Sequence, residues 1–269
     1  MAQPWLAIPA ALLLWWASTG LMLLAVRRAD RAGGGAHRLI ALSAVPLAAL
    51  GVAGILIGEG GTLSPIASAY LGFVSALTLW GAIELSFLTG FITGPNRAPC
   101  PPGARGAARL WAAWTAIYHH ELLLVGGLLM VAVLVAGDPT SVAFGTYLIL
   151  FAARILAKLN LFAGVPRINL EFVPTPLNHL KSHFRQAPAG PVFGVAVALL
   201  VLALVLLARA LLSTTDPAAA VELTLLLTLT GLALAEHALM VVPLPDAALW
   251  RWMLPKPAAP APRMTPNER

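Results

Sequence analysis

Runs of about twenty apolar residues recur along this chain, and no other feature constrains its fold as much, because a helix of that length crosses the hydrocarbon core of a bilayer. Seven runs can be read, at 5–26, 39–58, 66–93, 110–136, 142–163, 192–212 and 221–242. Lipid offers no hydrogen bonds to an exposed backbone, so such runs must be helices or strands of a closed barrel, and their length selects helices. The expected fold is therefore all-α: a polytopic bundle of about seven transmembrane helices. Only 10% of the 269 residues are charged, whereas soluble domains run near a quarter. That leaves no room for a sizeable soluble domain. Residues 1–252 read as one transmembrane domain, and the Pro- and Ala-rich stretch 253–269 as a disordered cytoplasmic tail.

The connections alternate in charge. Those at 27–38, 94–109 and 164–191, with the tail after 243, are basic, while 59–65, 137–141 and 213–220 carry no Lys or Arg. With Arg154 and Lys158 counted at the helix end they approach, every one of the 17 Lys and Arg residues except Arg209 falls on one side. The positive-inside rule then puts the N-terminus in the periplasm and the C-terminus in the cytoplasm of a bacterial inner membrane. The net charge of +6 belongs to these loops, where it meets anionic lipid, so no nucleic acid is expected as a partner. Met1 to Pro4 carries no basic stretch and no cleavage site follows, so no removable signal peptide is expected. The single Cys100 excludes an internal disulfide and leaves any metal to histidine and carboxylate. An odd helix count without a sequence repeat argues against an inverted-repeat transporter. Within 167–186, Leu177, Leu180 and Phe184 recur at helical spacing, which predicts a short helix on the cytoplasmic membrane surface, with Pro174 and Pro176 preceding or beginning it.

Ionisable groups at bilayer depth are costly, so they face a partner, a cofactor or a cavity. Counted from the ends of the apolar runs, Glu84 lies roughly 15 Å deep and Glu236 and His237 roughly 9 Å. His119, His120 and Glu121 match Glu84 in depth, and Arg154, Lys158 and Asn160 approach the end of the fifth run. Four helices thus feed one layer in the cytoplasmic half. Successive helical residues diverge by about 100°, so at most two of His119, His120 and Glu121 serve a common centre. No helix offers the Glu-x-x-His pairs of a di-iron bundle. Four readings remain open. The layer can hold a divalent metal through Glu84, His120, Glu121, Glu236 and His237. It can hold a bacteriochlorophyll or haem through one histidine, His120 or His237. It can form a proton or ion path. Or its carboxylates can form buried ion pairs with Arg154 and Lys158, supported by Asn160, that fix helix register. His179 and His183, four apart, are a weaker metal pair, and Cys100 sits in a stiff Pro-rich turn. Most of the eight tryptophans, among them Trp250 and Trp252, fall near expected interfaces, where indoles anchor helices.

Several blocks carry a family likeness. These are Glu84 to Pro95 (ELSFLTGFITGP) with Pro99 to Gly106 (PCPPGARG), Tyr118 to Leu122 (YHHEL), Ala157 to Asn160 (AKLN) with Gly164 to Pro166 (GVP), and Glu236-His237 with Pro243 to Trp252 (PLPDAALWRW). In this order and spacing they resemble the photosynthetic complex assembly protein 2 family, PuhE, over nearly the whole chain. The resemblance implies a multi-pass protein of the inner membrane, cytoplasmic or intracytoplasmic and photosynthetic, of anoxygenic phototrophic bacteria, encoded among photosynthesis genes near that of the reaction-centre H subunit. Its implied partners are reaction-centre and light-harvesting 1 subunits or bacteriochlorophyll-synthesis proteins, and its implied role is assembly of that complex or control of pigment supply to it. The positions transferred are Glu84, His120, Glu121, Lys158, Asn160, Glu236 and His237. In the family pattern the position of His119 is often not histidine and that of His183 often aromatic, which lowers both as ligands. The competing function is a membrane-embedded, metal-dependent oxidoreductase or hydroxylase acting on a pigment or isoprenoid.

Overall fold

The computed structural model describes residues 3–244 apart from 34 and 139. The tail at 253–269 and the indoles of Trp250 and Trp252 lie outside the described residues. Seven helices are long and apolar enough to cross a membrane: α1 (Ala7–Ala32, entered through a 3₁₀ turn at Pro4–Leu6), α2 (Ala36–Glu59), α3 (Pro65–Leu88), α4 (Gly106–Leu134), α5 (Val142–Ala163), α6 (Pro191–Ser213) and α7 (Pro217–Leu239). No strand occurs among the described residues. Up-and-down succession brings the C-terminal ends of α1, α3, α5 and α7 to one end of the bundle, and the described Lys and Arg residues except Arg209 cluster there.

Burial ranks the helices. In α3, 72% of the most apolar stretch is buried, against 11% in α6, so α3 is the axis and α6 a lipid-facing strut. The hairpin of α2 and α3 closes on small residues. A Cβ on Gly54 would stand 2.1 Å from Ser75 Oγ, and one on Gly51 2.8 Å from the Leu79 nitrogen. Such close approach is how helices associate where lipid removes the hydrophobic drive between them. A second such contact sets Gly127 of α4 against Tyr147 of α5, whose hydroxyl donates to the Leu124 carbonyl at 3.1 Å. At the end away from the basic loops, Asp216 caps α7 by accepting from the amides of Ala218 and Ala219, and Ser141 donates to Glu59 at 2.7 Å.

Several boundaries differ from the hydropathy reading, α1 continuing to Ala32 and α7 starting at Pro217 among them, and three bear on the charged layer. The third run was expected to reach residue 93, but α3 stops at Leu88. Gly90, at φ 73°, takes the left-handed position, with Phe91 N–H donating to the Ser86 carbonyl at 3.1 Å and Gly90 N–H to that of Phe87 at 2.8 Å. This is a Schellman end. Apolar residues simply continue past it. Segment 89–96 turns back along α4 instead, its Thr93 carbonyl accepting from His120 N–H at 2.9 Å. A Cβ on Gly94 would stand 2.1 Å from the Thr115 carbonyl, so only glycine permits this approach. The fourth helix starts earlier than expected, at Gly106, and the seventh ends earlier, at Leu239. Glu84 is consequently four residues from the end of its helix, roughly 6 Å rather than 15 Å, and Glu236 three residues from the end of α7, roughly 5 Å. Glu84 and Glu236 thus lie nearer their helix ends than the run lengths suggested, whereas Glu121 lies deeper in its helix, fifteen residues from Gly106.

The surface segment is helical, but as 3₁₀ turns at Leu170–Phe172 and Thr175–His183. With three residues per turn, Leu177, Leu180 and His183 form the buried stripe, and Phe184 is only partly buried. Leu177 and Leu180 pack on Phe87 of α3 and Ala116 of α4. The segment is thus a lid on the bundle rather than a float on the membrane surface. Main-chain bonds tie it down: Arg27 donates to the Glu171 carbonyl, Thr175 N–H to Asp30 at 3.2 Å, and Arg109 to the carbonyls of Phe162 (2.8 Å) and His183 (2.9 Å). Arg185 N–H donates to the Leu161 carbonyl at 2.9 Å, and Arg167 N–H to that of Met240 at 3.1 Å.

Candidate functional site

Beneath the lid lies a cavity of about 570 Å³, walled by α1, α3, α4, α5 and α7, a size typical of small-molecule sites. The walls follow from helical periodicity. On α4, Leu110, Ala113, Trp114, Ile117 and Glu121 share one face, and on α7, Leu229, Ala233 and Glu236 do the same. Along α5 the lining runs from Ile149 to Phe162, roughly 20 Å. Leu177, Leu180, His183 and Phe184 of the lid close the top.

The charged layer is resolved into pairs. Arg154 donates to Glu84 Oε2 at 2.7 Å, and Lys158 donates to Glu121 Oε1. Both carboxylates are nearly enclosed, with 7% and 6% of their side chains exposed, and each cation offsets a charge that would otherwise be costly there. Glu84, Arg154, Glu121, Lys158 and Glu236 all line the cavity. Among the described residues, Glu236 alone of the five carries no hydrogen bond or ion pair. The cation felt most by it is Arg154, already committed to Glu84.

The histidines separate. His119 is exposed and lies tilted against Tyr118, while His120 is fully enclosed and stacks on Phe87 with centroids 4.0 Å apart. Its Nε2 stands 3.7 Å from Glu84 Oε1, too far for a hydrogen bond, and neither ring nitrogen has a partner among the described residues. Lys158 Nζ sits 5.8 Å from the centroid of the same Phe87 ring. His237 is buried with Nδ1 2.8 Å from the Ala233 carbonyl, so adjacent Glu236 and His237 point apart. Neither His120 nor His237 lines the cavity. Asn160 is buried, and its side-chain amide has no hydrogen-bond partner among the described residues. Glu84, His120 and Glu121 come together, but among the described residues no three His, Cys, Asp or Glu side chains gather so as to hold a metal ion.

The imidazole that does line the cavity is His183, buried at 4% exposure and without a standard hydrogen bond to either nitrogen. Burial holds its pKa below the usual histidine value, as it does for His179. The ring is therefore neutral at pH 7, the state in which imidazole ligates metals. From the sequence it ranked low because His179 and His183 have no third ligand beside them and because the position of His183 is often aromatic in the family it resembles. The buried i,i+3 recurrence of 177, 180 and 183 was the available signal. Phe87, Arg109 and Asp30 were also overlooked, since stacking and lid tethers leave no local pattern. Cys100 contributes its backbone, donating to Ser182 Oγ of the lid at 2.8 Å.

Comparison with known proteins places this geometry in a lineage. Residues 1–261 match the profile of the family described as "Protein of unknown function (DUF3623)". The chain is 42% identical, over 97% of its own length and 94% of the relative's, to the "Uncharacterized 30.4 kDa protein in puhA 5'region" of Rhodobacter capsulatus. No solved structure matches the chain.

Proposed function

The chain belongs to the DUF3623 family, and from that premise we propose that it is an assembly factor for the photosynthetic reaction centre and light-harvesting 1 complex, holding a bacteriochlorophyll-class cargo in the lidded cavity. The observation that carries this reading is the cavity itself, large and mostly apolar, in a chain similar to a protein named for its place beside puhA. The PuhE resemblance gives the same setting. A magnesium tetrapyrrole with a long ester tail needs a sizeable apolar space and one neutral imidazole. His183 offers the imidazole, and Trp15, Trp80, Phe87 and Trp114 offer aromatic walls. The cargo's magnesium would supply the Lewis-acid centre that a neutral imidazole holds. His120 and His237, enclosed outside the cavity, are then positioning groups, with His120 fixing the Phe87 wall by stacking.

The orientation we propose puts the lidded end in the cytoplasm of a photosynthetic inner membrane, because that end carries the basic loops while Glu59, Asp138 and Asp216 mark the other. The decisive experiment deletes the gene in a phototrophic host and measures both pigment identity and complex abundance. Normal pigment with less complex is expected, restored by wild type but poorly by His183→Ala. Accumulation of a chemically altered pigment would instead make the protein an enzyme and overturn the proposal.

A further inference from the structure

The cavity is graded along its length. Its charged groups, Glu84, Glu121, Arg154, Lys158 and Glu236, are gathered toward the lidded end. The far end is lined by Trp15, Trp80, Ile149, Leu150 and Leu229, and Ile149 stands fourteen residues from the end of α5, roughly 21 Å away. The charged band lies between this apolar stretch and the apolar lid residues Leu177, Leu180 and Phe184. A site so divided suits an amphiphile lying parallel to the helices with its head at the band and its tail toward Trp15 and Ile149. The charges of this band do not balance: each cation is already bonded to one carboxylate, and among the described residues Glu236 is left over.

We infer that the cavity admits a long-chain amphiphile tail first and reads its head through Glu236, accepting a neutral hydrogen-bond-donating head and refusing a carboxylate. The inference rests on the reading of the cavity as a cargo site but not on the cargo being a pigment. A hydroxyl can donate to the free Glu236 oxygens. A carboxylate would meet that group head-on, and could reach Arg154 or Lys158 only by displacing Glu84 or Glu121 and leaving it unpaired in a water-poor site.

The probes are 12-bromododecanol and 12-bromododecanoic acid, added at pH 8 to the full chain in nanodiscs, with bromine at the tail end quenching nearby tryptophans. The alcohol is expected to bind at least about tenfold more tightly than the acid, as expected for a hydrogen bond to a charged group. Its quenching should shrink in Trp15→Phe/Trp80→Phe, which removes the indoles at the far end. Glu236→Gln should reduce the preference to within about threefold by admitting the acid, while leaving the alcohol bound. Equal affinities in wild type, a preference surviving Glu236→Gln, or quenching that ignores the two indoles would each overturn the inference. A protein that binds the alcohol as described but purifies without pigment would sink the pigment reading alone.

Discussion

The two ends of this bundle are built on opposite terms. Away from the lid, α2 and α3 approach until Gly54 touches Ser75, and an apolar cluster around Phe73, Leu225 and Leu229 fills the space between helices. Under the lid the same α3 meets α5 through the charges of Glu84 and Arg154, and a 570 Å³ cavity lies among the surrounding helices. Tight backbone contact gives one end its rigidity, whereas the other depends on paired charges whose value lies in what they leave room for. Tight packing can therefore be tested by adding atoms, and the open end by removing charge.

The largest effect is expected from unpairing a buried charge. Lys158→Met strands Glu121 and should cost about 3–5 kcal/mol of stability, read as thermal unfolding in detergent, while Lys158→Met/Glu121→Leu should recover most of it. Equal loss in both variants would show that the pair is not the source. Next comes overfilling of the packed end. Gly54→Leu should cost about 1–3 kcal/mol, and a protein indifferent to it would not have the α2–α3 contact described. A smaller loss, about 1 kcal/mol, is expected for Asp216→Ala, which removes the cap of α7 without touching either the cavity or the glycine seam. Hydrogen exchange should show it confined to the first turn of α7.

The smallest effect is a pH dependence. Burial keeps folded His183 neutral below the usual histidine pKa, whereas the unfolded chain takes up its proton near pH 6.5. Stability contributed this way is complete above about pH 6.5 and declines on acidification until the folded ring itself protonates. His183→Phe should flatten the fall in unfolding temperature between pH 7 and 5. An unchanged slope would place the dependence elsewhere, with His179 the next candidate.

The membrane-spanning framework was readable from the sequence because lipid imposes one rule on every residue of a span. Ends were less readable: hydropathy cannot see that Gly90 turns left-handed, so the third span was read five residues long. The charged residues of the layer could be named from their depth, but not their partners, since Glu84 meets Arg154 across 70 residues and Glu121 meets Lys158 across 37. Glu236 and His237 are neighbours in sequence with opposite surroundings, which the 100° step between them permits but does not assign. Nothing local announced a cavity. It is the space that five helices and a lid fail to fill.

The tethering of that lid has a kinetic consequence. Its ends and middle are bonded to α1, α4 and α5 and to the Met240 carbonyl just beyond α7, so lifting it as a flap would break bonds at several points together. A molecule dissolved in the bilayer meets no such barrier if neighbouring helices part briefly at the level of the cavity, a local opening that leaves the tethers intact. Exchange would then run sideways through lipid, and residence time would be set by the separation of helices rather than by the unlatching of the lid.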